Sequence, residues 1–239
     1  MSYVRKEVLA EGVTLYLGDC REVLPTLGRV DVLLTDPPYG INFPYMSYDD
    51  TRENLRGLIR FLFAEPRYFD RGVVLCGPTQ IQEYPAADWV GAITWNTTGS
   101  FGKYGYSQWT PVLLYGADLP GFGNVNGVMK TDTYHINGGA SVGFQRSKDE
   151  AEHTCPKPMN IMRQMVLRYS SEAETICDPF MGTASTGVAA VNAGRSFIGI
   201  EIEPKYFELS CRRIEDALKR PDLFIPTPAP KAKQESFLP

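Results

Sequence analysis

The sequence predicts an α/β fold, doubly wound around a mostly parallel sheet, and three observations predict it. Short runs rich in Val, Leu, Ile, Trp and Tyr fall at 13–17, 30–35, 72–76, 89–95 and 110–116, the composition of buried strands. Apolar stripes at helical spacing accompany them, with Leu55, Leu58, Ile59, Leu62 and Phe63 in one and Phe207, Cys211, Ile214 and Leu218 in another. Strands alternating with helices need crossover connections, which cover both faces of the sheet and leave its carboxyl ends open to ligands. At 239 residues with 43% hydrophobic content, the chain suits one such domain carrying an insertion rather than two independent domains.

The run at 13–17 ends in Gly18-Asp19-Cys20, which sets an acid at the mouth of the first strand. The run at 30–35 feeds directly into Asp36-Pro37-Pro38-Tyr39-Gly40. Successive prolines fix φ near about −65° and remove backbone donors. What remains is a rigid turn with the Asp36 carboxylate and the Pro37 carbonyl as acceptors and Tyr39 as a flat wall. Such a pocket suits methylation of an exocyclic amine on a nucleobase. The nitrogen lone pair is delocalised into the ring, so the amine is a poor nucleophile until acceptors hold its hydrogens and pull density toward the attacking lobe. Tyr39 would stack on the base.

Residues 51–75 carry Arg52, Arg56, Arg60, Arg67 and Arg71 against Glu53, Glu65 and Asp70, the solvated face of an amphipathic helix. From 117 to 150 the periodicity dissolves into Gly121, Gly123, Gly127, Gly138, Gly139 and Gly143 interspersed with Asn124, Asn126 and Asn137. Lys130, His135, Gln145, Arg146 and Lys148 offer donors there of the types that meet phosphates or base edges. Lys157-Pro158 then opens a helix with Met159, Met162, Met165, Val166 and Tyr169 along one face, proline taking its favoured place in the first turn.

Thr175 to Ala184 runs into Ser185–Val191, and Ala193-Gly194 leads to Phe197-Ile198-Gly199-Ile200-Glu201. This is strand, glycine turn, helix, strand, acid. In a nucleotide-type α/β fold the glycine admits a ligand close to the backbone, the helix start faces it, and the acid takes ribose hydroxyls. Glu201 is that acid. Beyond Arg220 the chain holds Pro221, Pro226, Pro228, Pro230 and Pro239, so an extended or disordered tail is expected.

Four segments resemble the beta-class DNA amino-methyltransferases, which act on N6 of adenine or N4 of cytosine with S-adenosylmethionine as donor. They are Gly18-Asp19-Cys20 after Thr14-Leu15-Tyr16-Leu17, Asp36 to Gly40, His153-Thr154-Cys155-Pro156-Lys157-Pro158, and Asp178 to Gly182 with Glu201. The catalytic turn precedes the cofactor turn, the permuted order that defines the class, and the resemblance covers residues 13 to 219. It implies a Rossmann-like doubly wound, mostly parallel seven-stranded sheet with permuted motif order and a small insertion. The implied division is a catalytic half at 1–116, a candidate target-recognition insertion at 117–150, a cofactor-binding half at 151–220 and a Pro-rich tail at 221–239.

The resemblance also implies in-line transfer of the sulfonium methyl, without a metal or a covalent enzyme intermediate, to a base that has left the duplex. Asp36, Pro37, Pro38 and Tyr39 would be catalytic, with Asp36 also adjoining the cofactor. Asp19 would face the cofactor adenine with Cys20 also in the cofactor site, and Glu201 would take its ribose, while Asp178, Phe180 and Gly182 shape the turn under the methionine portion. Lys157 either meets the methionine carboxylate or is simply exposed. Lys130 and Arg146 would contact DNA.

An Asp-first turn points by family habit to N6 of adenine; N4 of cytosine is the nearest alternative, and an Asn-first turn would belong to the protein-glutamine enzymes. A DNA-binding module of the same fold without turnover is the reading of another class, and two features speak for it. One is Ala184, where the family turn usually has a second glycine. That residue is harmless at negative φ and costly to cofactor affinity at positive φ. The other is a net charge of −4, awkward for a phosphate-binding surface. DNA binding should therefore be weak and salt-sensitive, with a homodimer as one source of further contacts. The histidine segment departs too, with Thr154 and Pro156 where Pro and Gln are usual.

Cys20, Cys76, Cys155, Cys177 and Cys211 lie far apart and histidines number two, so neither a disulfide framework nor a zinc site is expected. No run approaches the roughly eighteen apolar residues of a membrane helix, and Arg5, Lys6, Glu7 and Glu11 stand where a signal core would lie. A cytoplasmic protein is expected. Gln234-Glu235-Ser236-Phe237-Leu238 partly resembles a sliding-clamp-binding peptide with its hydrophobic order wrong.

Overall fold

A computed structural model of the chain describes residues 3–64, 67–95, 100–102, 105–116, 124–125, 128–129, 133–136 and 157–219. In chain order the first half gives β1 (Arg5–Ala10), β2 (Val13–Leu17), α1 (Cys20–Leu27), β3 (Val30–Thr35), α2 (Arg52–Leu62), β4 (Phe69–Leu75) and β5 (Trp89–Trp95). Then come β6 (Ser100–Gly102), β7 (Gly105–Ser107), β8 (Trp109–Gly116), β9 (Asn124–Val125), β10 (Val128–Met129) and β11 (Thr133–Ile136). The last part holds α3 (Met159–Tyr169), β12 (Thr175–Asp178), α4 (Ser185–Asn192), β13 (Ser196–Glu201) and α5 (Pro204–Lys219).

The described residues form a nine-stranded sheet in the order β1-β2-β13-β12-β3-β4-β8-β5-β11. Strands β2, β13, β12, β3 and β4 run parallel, β8 is antiparallel to both its neighbours, and β11 lies parallel to β5. The expected seven strands are the inner ones, and β1 and β11 are edge strands that the sequence pattern did not disclose. The reason for β1 is that none of its residues is buried, so Arg5, Lys6 and Glu7 show no inward apolar alternation. The reason for β11 is its brevity within a glycine-rich stretch. Its Tyr134 is nonetheless 1% exposed and belongs to the core, so residues 133–136, inside the interval 117–150, are part of the sheet.

Alternate residues feed two cores, one on each face. Val32 and Leu34 of β3 pack with Met162 and Met165 of α3, Ala189 and Ala190 of α4 and Phe207 and Ile214 of α5. Leu33 packs instead with Val23 and Leu24 of α1 and Leu55, Leu58, Ile59 and Leu62 of α2. Each apolar stripe of the sequence is thus a buried helix face. No described helix is long and apolar enough to cross a membrane.

The pairing of β12 with β3, Ile176 opposite Val32 and Cys177 opposite Leu33, positions everything that follows. From this seam the chain leaving β12 moves one way to β13, while the chain leaving β3 moves the other way to β4. That reversal of strand order opens a crevice at the carboxyl ends of β3 and β12, where loops leave in opposite directions.

Candidate active site

A cavity of about 340 Å³ fills this crevice. Gly18 to Arg21 form one wall, Asp178 to Thr183 another and Phe43 to Tyr48 a third, and Asp36, Pro38, Lys157, Glu201 and Lys205 are among the remaining lining residues. Asp19, Cys20, Asp36, Lys157, Asp178, Phe180, Gly182 and Glu201 therefore meet at one place, whereas Pro37 and Tyr39 lie outside its wall.

On the β3 side, Thr35 Oγ1 donates to Asp178 Oδ1 at 2.7 Å and ties the two turns together. Tyr39 OH donates to Asp36 Oδ1 at 2.7 Å, and Lys157 Nζ pairs with Asp36 Oδ2. The same ammonium lies 5.9 Å from the centre of the Tyr39 ring. The sequence reading used Tyr39 for its ring alone and missed its hydroxyl. Lys157 is not exposed, its side chain keeping 11% of its accessible surface, because α3 starts against the catalytic turn.

Asp50 was also missed. It is 1% exposed and accepts the backbone N–H groups of Gly40 at 2.6 Å, Ile41 at 3.1 Å and Phe43 at 3.0 Å. Three charge-assisted bonds to one carboxylate fix the loop that roofs the cavity. In sequence Asp49-Asp50-Thr51 reads as a helix start, and Thr51 is indeed the N-cap of α2, which hides the second task of its neighbour. Gly40 turns the chain at φ 67°, where a Cβ would stand 2.9 Å from Arg52 Cα.

On the cofactor side, Glu201 is 8% exposed and accepts from Gly182 N and Glu203 N, each at 2.8 Å. Burial pushes its carboxyl up to about 7 against those bonds. Asp178 accepts from Phe180 N at 3.1 Å, and burial pushes it up to about 6. Asp19 caps α1 through Arg21 N at 2.8 Å; burial works to raise its carboxyl, but the Arg21 hydrogen bonds win and hold it below the usual range. Burial drives the Cys20 thiol far up, so it stays an uncharged packing group.

Ala184 takes φ 57° and ψ 42°, the left-handed region, which the sequence left open. Its methyl packs into the core and is absent from the cavity wall, whereas its neighbours Thr183 and Ser185 line the cavity.

The arginines of 51–75 are largely spoken for. Arg52 and Arg56 both pair with Glu83, and Arg71 pairs with Glu174. His135, counted above among DNA-facing donors, meets Thr94 Oγ1 through Nδ1 at 2.7 Å. Lys130, Arg146, His153 to Pro156 and the tail with Gln234–Leu238 lie outside the described residues.

The family model N6_N4_Mtase, described as DNA methylase, matches residues 93–212. The chain belongs to this family. The match takes in the Asp178 turn, Glu201 and Lys157 but stops short of the Asp36 turn, whose place rests on the β3–β12 pairing. Among curated relatives, the type II methyltransferase M.HinfI of Haemophilus influenzae is 35% identical over 83 residues, 34% of this chain and 23% of that protein. The DNA adenine methyltransferase YhdJ of Escherichia coli K12 is 39% identical over 70 residues, 29% of this chain and 24% of that protein. The matched segments span about a quarter of those relatives' length. The crystal structure of an M1.HpyAVI–SAM complex superposes with a TM-score of 0.62 at 21% identity, covering 84% of this chain and 98% of that one, a likeness of fold.

Proposed function

We propose that this chain transfers the methyl group of S-adenosylmethionine to N6 of adenine in DNA. The observation that carries the reading is the Thr35–Asp178 hydrogen bond across the β3–β12 seam, which opens the acceptor turn at Asp36 and the buried Glu201 onto one cavity. Family membership supports methyl transfer to DNA, and the adenine specificity named for YhdJ agrees with the Asp-first turn.

The residues present fit the cofactor. Glu201 accepts backbone N–H groups of Gly182, Glu203 and Ile202, and a carboxylate offers about four acceptor sites, so capacity remains for a ribose hydroxyl. The Tyr48 hydroxyl, in the wall near Asp19 and Cys20, is buried without a partner and can serve the adenine end. Asp178, Phe180 and Gly182 would support the methionine portion. When bound, S-adenosylmethionine supplies an electrophilic methyl on its sulfonium.

Everything else falls to the chain. Asp36 and the Pro37 carbonyl would accept hydrogen bonds from the amino group and orient the nitrogen lone pair, and the Asp36 carboxylate would receive the proton that the methylated nitrogen sheds. Tyr39 would stack on the extruded base, whose removal from the duplex costs a few kcal/mol. Lys130 and Arg146 would supply contacts to DNA.

Incubation of duplex DNA with radiolabelled donor, digestion to nucleosides and chromatographic separation test the reading. Label in N6-methyl-2′-deoxyadenosine is expected. Label in N4-methylcytosine overturns the base; label confined to RNA or protein overturns the substrate; cofactor binding by calorimetry with no transfer to any of these marks a binding module.

A further inference from the structure

Both Asp36 oxygens are engaged within the chain, Oδ1 by Tyr39 OH at 2.7 Å and Oδ2 by the Lys157 ammonium. Each oxygen keeps a further acceptor site for an amine hydrogen, so the conflict is one of charge rather than of acceptor count. A fixed ammonium beside the amine would oppose the positive charge that moves from sulfonium to nitrogen. Lys157 must therefore leave Asp36 before the amine is held. Its flexible four-carbon stem allows the move, but a half-buried cation leaves a carboxylate only for another anion.

The cavity supplies the condition for such an exchange. Asp36, Asp178 and Glu201 crowd one region with carboxyl groups, and a ligand bearing its own carboxylate is accepted there only beside a cation. Arg21 is committed to Asp19 and Lys205 is exposed, which leaves Lys157 as the inward cation of the wall. We propose that Lys157 exchanges between Asp36 and the α-carboxylate of the cofactor, so that cofactor binding releases Asp36 to take the amine. Lys157 is a positioning residue here, and the inference rests on the S-adenosylmethionine reading above.

The exchange predicts a coupling measurable without DNA or turnover. Asp36→Asn removes the competing anion, so calorimetry should show S-adenosylhomocysteine binding tighter by about threefold or more. Lys157→Met should weaken it by about tenfold and Lys157→Arg by less. The double variant should match Lys157→Met alone, because without the lysine there is nothing for Asp36 to compete for. Methylthioadenosine, which lacks the amino-acid end, should bind all of them within about twofold of the parent and thereby report an intact fold. Unchanged or weaker S-adenosylhomocysteine binding by Asp36→Asn overturns the exchange and spares the methyltransferase reading. Equal loss of both nucleosides in Lys157→Met assigns the lysine a structural role and overturns the exchange as well. Binding of neither nucleoside by the parent protein overturns both.

Discussion

Tyr39 combines a hydroxyl that holds Asp36 Oδ1 with a ring set beside the same carboxylate, and single substitutions separate the two. Tyr39→Phe removes one hydrogen bond to a charged group, worth about 1.5–3 kcal/mol, and should slow single-turnover methylation by about tenfold or more. Tyr39→Ala removes the ring too, adding the roughly 1–3 kcal/mol of base stacking. Equal rates for the two variants would show that the ring contributes nothing. At Glu201 and Asp178 the decisive quantity is protonation. Burial raises them to about 7 and about 6 from ordinary values of 4.5 and 3.8, so through this window the folded state binds more protons than the unfolded chain. Their contribution to stability is complete below the unfolded values and is lost as pH rises through the folded ones. The thermal midpoint of the ligand-free protein should fall between about pH 5 and pH 8, and Glu201→Gln should flatten that fall. A midpoint that climbs over this range would contradict the burial account.

At the scale of elements, the roof loop and the turn before α4 respond to different forces. Asp50→Ala strands the N–H groups of Gly40, Ile41 and Phe43, and each lost partner costs about 1–3 kcal/mol less whatever water recovers. Urea unfolding should show a loss of about 2–4 kcal/mol together with weaker S-adenosylhomocysteine binding. Stability within about 0.5 kcal/mol of the parent would mean the loop holds its shape unaided. Ala184→Gly trades relief of about 1–2 kcal/mol of left-handed strain against roughly 0.8 kcal/mol of lost methyl burial and up to about 1 kcal/mol of glycine entropy. Stability should move by less than about 1 kcal/mol, and nucleoside affinity should not move, since the methyl faces the core. Elements defined by burial were legible in sequence: the runs at 13–17, 30–35 and 89–95 are strands β2, β3 and β5, because inward side chains impose their own composition. The edge strand β1 was not legible, since none of its residues is fully buried, nor was β11, whose Tyr134 gains meaning only from pairing with β5. The same limit applies within the site. Asp19, Asp36, Asp178 and Glu201 end strands and announce themselves. Asp50 and the Tyr39 hydroxyl act through contacts that no local pattern encodes.

For the whole molecule, the proposed function requires a chain of net charge −4 to hold a polyanion. The face that composition favoured, the arginines of α2, is partly paired within the chain: Glu83 takes Arg52 and Arg56. A cation already paired has no counterion-releasing contact to offer, so it adds little to the salt dependence of binding. The phosphate contacts must then come from elsewhere, and Lys130 and Arg146 in the stretch between the two halves are the candidates the sequence supplies. Each phosphate contact contributes about −0.9 to the slope of log K against log salt for duplex DNA. Titrating a labelled duplex across a salt series should therefore give slopes shallower by about 0.9 for Lys130→Ala and for Arg146→Ala, and an unchanged slope for the Arg52→Ala, Arg56→Ala pair. The reverse pattern would move the DNA to the α2 face, and Glu83 would then become a brake on binding whose removal steepens the slope.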